Sequence, residues 1–158
     1  MSMDLVRAAL MQEVKDFLTG HATITTNKGI FENLPTLDAE NIAWENRNFD
    51  PDSKDFFATV NYVPNNPEGR TIGEGGYDEM SGFVQIDFDG KQGRGTGEHG
   101  KWEKKAPLFF ITGKNFTYQG NSVIVISAGM SQGRVVGNNY RKSLTVAFRS
   151  QLKRHITT

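Results

Sequence analysis

Leu5, Val6, Ala9, Leu10, Val14, Phe17 and Leu18 recur at 3.6-residue spacing, opposite Arg7, Gln12, Lys15 and Asp16. That stripe predicts an amphipathic helix over residues 2–20, with Ser2 as its N-cap and Gly20 as its stop. Residues 21–41 carry little pattern beyond a turn at Asn27-Lys28-Gly29 and a break at Pro35. From there the period falls to two. Residues 42–49 carry Trp44, and residues 56–63 have the β-branched and aromatic content of a strand, ended by the loop Pro64-Asn65-Asn66-Pro67-Glu68-Gly69. In residues 83–88, Val84, Ile86 and Phe88 share one face and Gln85 and Asp87 the other. Residues 116–118 and 123–127, parted by Gly120-Asn121, read as a hairpin. In a final strand Leu144, Val146 and Phe148 alternate with Ser143, Thr145 and Arg149.

Residues 90–113 separate these strands. Their first part is glycine-rich; Trp102, Ala106, Phe109 and Phe110 then return to helical spacing, and Pro107 predicts a helix that is broken or starts near the proline. Half-polar strands favour an antiparallel sheet with one face covered. The expected fold is α+β: a mainly antiparallel sheet with the N-terminal amphipathic helix and a second helix packed on one face, in a single domain over residues 1–158.

Composition narrows the function classes. With no cysteine, disulfides, thiolate nucleophiles and Cys-bearing zinc sites are excluded. Lys+Arg and Asp+Glu balance at 18 each, so the surplus of cations that nucleic-acid binders use to displace counterions is absent. No apolar run is long enough to span a bilayer, and no basic-then-apolar leader opens the chain, so synthesis in a cytoplasm and no membrane partner are expected.

The strongest chemical signal is Gly95-Thr96-Gly97-Glu98-His99-Gly100-Lys101, which has the spacing of a phosphate loop. Trp102 stands where such a loop needs a hydroxyl for magnesium, and no acidic residue follows at dinucleotide spacing, so a flexible turn into a helix is the preferred reading. His21, His99 and His155 are scattered and read as exposed; Ser127 and Ser131 lack a nucleophile-elbow context. Asp87 and Asp89 share a strand face, with Glu74, Asp78 and Glu79 in the loop before it, and solvated charge accounts for them all. Arg134, Arg141, Lys142, Arg149, Lys153 and Arg154 make the C-terminal part basic, as a solvated strand face or as a surface for an acidic neighbour. No catalytic residue, metal ligand or cofactor site is assigned.

Taken in order, these features resemble the tail terminator family of long-tailed phages, the group that includes the lambda minor tail protein U. The motifs are the helix over residues 3–18, Trp44-Glu45-Asn46-Arg47-Asn48-Phe49, and Thr71-Ile72-Gly73-Glu74-Gly75-Gly76 before the strand at 83–88. Gly93-Arg94-Gly95-Thr96-Gly97 leading into a helix, then the strands at 123–127 and 140–148, complete the set. Pro107 and the length of residues 20–41 depart from it.

The resemblance implies a structural virion protein of the tail or neck. It would form a homo-oligomer, a hexameric ring that contacts the tail tube protein and a head-completion or connector protein, while DNA passes through its lumen without specific binding. Residues 65–79 would form an extended loop reaching a neighbour. Interface candidates are Trp44, Asn46, Phe49, Asn65, Glu68, Arg70, Tyr77, Arg134 and Arg141; lumen candidates are Glu74, Asp78 and Glu79. Alternatives are another phage neck or tail component, such as a head-completion or tube protein, and a small phosphate- or nucleotide-binding protein built on Gly95 to Lys101.

Overall fold

The computed structural model describes residues 3–20, 25–26, 29–30, 34–45, 47–65, 68–69, 77–93, 97–118 and 121–153. Helix α1 (Met3–Thr19) buries the stripe read from the sequence, with Val6, Leu10, Val14, Phe17 and Leu18 all inaccessible to solvent or nearly so. Gly20 ends it at φ +78°, its amide bonding Asp16 O at 3.0 Å, and a Cβ there would meet Thr36 Cγ2 at 2.5 Å. Ser2, the expected N-cap, lies outside the described residues.

β1 (Thr25–Thr26) and β2 (Gly29–Ile30) form a two-stranded ladder of their own. The remaining strands are β3 (Ile42–Ala43), β4 (Phe56–Pro64), β5 (Glu68–Gly69), β6 (Tyr77–Lys91), β7 (Asn115–Tyr118), β8 (Asn121–Met130), β9 (Arg134–Val136) and β10 (Asn139–Lys153). They form one sheet in the order β3-β4-β6-β10-β8-β7, with β5 added beside β6 and β9 beside β10. Among the described residues only the β3–β4 pair is parallel.

The centre is the β6–β10 pair, two 15-residue strands in register from Tyr77↔Lys153 to Lys91↔Asn139. Even-numbered positions in β4, β6 and β10 face the helices: Val60, Ile86 and Leu144 are direct neighbours across three strands, as are Ala58 and Phe88. Burying each large aliphatic or aromatic side chain contributes about 1.5–3 kcal/mol. α1 packs on β7 and β8, and α2 (Gly97–Phe109) on β6, β8 and β10. Neither described helix lies on the opposite sheet face. The α+β architecture therefore stands as expected.

Four local expectations change. The strand expected at 83–88 is 15 residues long, so Asp78 and Glu79 lie within β6, paired to β5 and β10, instead of in a loop. Likewise Glu68 belongs to a strand, so residues 65–79 are not one continuous loop. Pro107 does not start or break the second helix: it sits in the last turn of α2, where it removes only one backbone bond, and Phe110 N still reaches Ala106 O at 2.8 Å. The pull of Trp102, Ala106 and Phe109 onto the core sets the helix from Gly97 onward. Finally, β7 opens with a bulge. Gly113, at φ +86°, donates to Val125 O (2.8 Å) while Val125 donates to Lys114 O (2.9 Å), placing two residues opposite one.

Candidate assembly surface

The sheet face opposite the helices carries a polar network that the even/odd alternation builds directly. Asp87, Asp89, Arg141 and Ser143 are odd-numbered residues on adjacent strands, with Asp89 opposite Arg141 and Asp87 opposite Ser143. Arg141 grips Asp89 bidentately, Nε to Oδ1 at 2.6 Å and Nη2 to Oδ2 at 2.9 Å. Asp87 Oδ1 accepts from Ser143 Oγ (2.5 Å) and Gln85 Nε2 (2.9 Å), and Arg134 Nη2 donates to Ser143 Oγ at 3.2 Å. Asp89 is 1% exposed and Asp87 is also buried, so these are not the solvated charges their sequence context implied. The hydrogen bond to Asp89 holds the Arg141 guanidinium above its ordinary pKa. Around this network the face is mixed: Val63 and Ile126 are exposed, beside exposed Asn61, Thr145 and Arg149.

On the other side of the sheet, two buried polar groups tie the helices down. Lys105 is 3% exposed; its Nζ donates to Phe17 O at 2.6 Å and Pro35 O at 2.7 Å, beneath the rings of Trp102 and Phe17. It thereby satisfies one of the orphan carbonyls at the end of α1. Burial pushes its pKa down to about 8. His99 is 2% exposed, against the expectation of an exposed ring. Its Nε2 lies 3.0 Å from both Phe88 O and Tyr140 O, and because carbonyls only accept, Nε2 carries the proton. This anchors the start of α2 across the β6–β10 ladder, with Phe56 and Tyr140 edge-on to the imidazole.

Of the phosphate-loop motif, Gly95 and Thr96 lie outside the described residues, and the described part is helix. Gly97 to Lys101 are the first residues of α2, Lys101 pairs with Glu98 at 3.2 Å, and Trp102 is fully buried, stacked on Phe88 at 5.0 Å. No group of three or more acidic or histidine residues could hold a metal among the described residues, and no helix among them is long and apolar enough to cross a membrane.

The interface candidates scatter. Trp44 is half-buried and lines a groove of about 570 Å³ between α1 and the chain after β3, with Arg7, Met11, Lys15, Glu45 and Arg47. Glu45 there takes Arg7 at 3.1 Å and accepts from the backbone amide of Tyr62. Phe49 packs on Phe57 at 5.2 Å, and Asn65 Nδ2 reaches Ser81 Oγ at 3.3 Å. Arg134 and Arg141 join the polar network, far from Trp44 in the strand order. Glu79 is a partly buried residue of β6, and Glu68, Tyr77 and Asp78 lie in strands. Asn46, Arg70 and Glu74 lie outside the described residues. The Asp87–Asp89–Arg141–Ser143 network was assembled by none of these readings. Its signal was the matching parity of D-x-D in one strand and R-x-S in another.

The described residues form an α+β protein, a mainly antiparallel sheet with both helices on one face. The description "phage tail terminator protein" matches residues 6–148. The chain belongs to the phage tail terminator family. Its fold is shared with a solved structure at a TM-score of 0.68, covering 96% of this chain and 97% of that one at 18% identity. No curated protein matches.

Proposed function

We propose that this chain is a non-enzymatic virion protein that closes into a hexameric ring on the end of the tail tube. There it stops tube elongation and offers a docking face to the head or its connector. The observation that carries this reading is the family match over residues 6–148, which takes in both helices and nearly all of the large sheet. The geometry supports it in kind. A ring needs two different, mutually complementary patches on each subunit. Here the sheet path ends in two dissimilar edges, and a broad mixed-polarity face carries neither described helix. Glu74, Asp78 and Glu79 remain the proposed lumen residues, with DNA passing without specific contacts.

A tube or head-completion protein shares this logic, and assembly behaviour separates them. Purified protein added to isolated headless tails should place one cap per tail by negative-stain electron microscopy and form no tubes alone. Long tubes from the protein alone, or bare tail ends, would refute the terminator reading.

A further inference from the structure

We infer that the groove beside Trp44 is the receptor of the ring contact, and that its occupant is the acidic turn Asp50-Pro51-Asp52 of a neighbouring copy. This deepens the ring reading above and rests on it. The groove, about 570 Å³, is as large as pockets that enclose whole small ligands. Its floor is apolar, with Val60 buried and Met11 and Trp44 half-buried against the core. Its rim is basic, formed by Arg7, Lys15 and Arg47. Glu45, the acid among its lining residues, is engaged at both oxygens, one by the Tyr62 amide and the other by Arg7 at 3.1 Å. A rim with this surplus of cations fits an anionic occupant. Trp, Met and Arg are also the residue types enriched at the buried centres of protein–protein contacts, where Trp and Arg carry much of the binding energy.

The chain itself carries the matching anion. Asp50, Pro51, Asp52 and Ser53 are all exposed, and Pro51–Ser53 form a single 3-10 turn; Lys54, the cation that follows, is half-buried. The turn is built in advance. Asp50 Oδ1 accepts from the Asp52 amide at 3.1 Å, Ser53 Oγ donates to Asp50 O at 3.0 Å, and Lys91 Nζ reaches Asp52 O at 3.5 Å. A proline fixed in this way between two carboxylates loses little conformational freedom on docking. Its ring offers Trp44 an apolar surface, and the flanking aspartates offer charge to Lys15 and Arg47.

Within one subunit the two features are held apart. The groove lies on the helix face of the sheet, between α1 and the even-numbered Val60. The turn is rooted on the other face, where Phe49 packs on the odd-numbered Phe57 at 5.2 Å, and at the start of β4, where Lys91 N bonds Asp55 O at 3.1 Å. From Phe56, which opens β4 beside the turn, to Val60 the strand runs about 13 Å. A knob on one side and a socket on the other give the head-to-tail contact that closes a ring. The balance of 18 Lys+Arg against 18 Asp+Glu fits a surface that complements itself.

The test is a charge exchange. Arg47→Glu and Asp52→Lys each reverse one exposed charge, so circular dichroism and melting should match the wild type. Capping of isolated headless tails, counted by negative-stain electron microscopy, should fall about tenfold or more in each, because like charges then face each other at every contact. The double variant Arg47→Glu with Asp52→Lys restores opposite charges between neighbours and should cap within about threefold of the wild type. If the wild type caps tails and both single variants cap equally well, the groove assignment is wrong and the ring stands. If the singles lose capping and the double variant does no better, the groove holds an acidic segment of another protein, such as the tube, and the neighbouring copy is the wrong occupant. If the wild type itself never caps tails, the ring reading fails and takes this inference with it.

Discussion

Replacing Arg141 by Met removes both donors from the Asp89 carboxylate and leaves a charge with 1% exposure facing no cation at bonding distance among the described residues. Removing one partner of a buried pair costs about 3–5 kcal/mol, because the remaining ion loses its compensation without regaining water. The Arg141 side chain is 26% exposed, so water can follow the truncation, and the lower end, about 3 kcal/mol, applies. For a chain of this length each kcal/mol moves the melting temperature by roughly 2–4 °C, giving a drop of about 6–12 °C. Asp89→Asn should cost less, since Arg141 Nη1 already stands 3.9 Å from Asp87 and keeps a partner. The double variant, with Asp89 neutral and only Asp87 left without its cation on Ser143 and Gln85, should recover part of the loss. Urea unfolding of all four proteins at pH 7 reads the cycle. A loss under about 1 kcal/mol for Arg141→Met, or a double variant as unstable as the sum of the singles, would refute the buried-pair account.

Lys105 has a folded pKa near 8 against an ordinary 10.5, so between these values the unfolded chain holds more protons and stability rises with pH. The gain, about 3 kcal/mol in full, is present above the unfolded value and lost as pH falls through 8; Lys105→Met should flatten that part of the stability–pH curve measured by urea unfolding from pH 7 to 10. Gly20→Ala puts a Cβ into a positive-φ turn and 2.5 Å from Thr36, and should lower stability by about 1–2 kcal/mol in thermal melts, whereas a neutral result would contradict the turn. Trp102→Ala empties the site between Phe88 and Phe17 and should cost about 3–5 kcal/mol by the same melts, a loss below 1 kcal/mol arguing against α2 sealing the sheet.

The elements legible in the sequence are those whose signal is local and periodic. α1 shows its stripe over four turns, and Val84-Ile86-Phe88 and Leu144-Val146-Phe148 show the core face of the two central strands. What stayed hidden depends on partners far along the chain. Asp87 and Asp89 read as solvent-facing because Ser143 and Arg141 stand 56 and 52 residues away, and only the β6–β10 register joins them. His99 read as exposed because the two carbonyls it bonds come from different strands. The length of β6 was obscured at both ends, where Asp78, Glu79, Asp87 and Asp89 break the apolar run that marks a strand. Pro107 pointed to a helix boundary, and the packing of Trp102 and Phe109 overrode it.

The central claim, that this protein ends tail growth and presents the tail to the head, is tested most directly by electron microscopy of particles made by a phage carrying a stop codon in its gene. Tails of uncontrolled, excessive length, unattached to filled heads, are the predicted result. Tails of normal length joined to heads would contradict it.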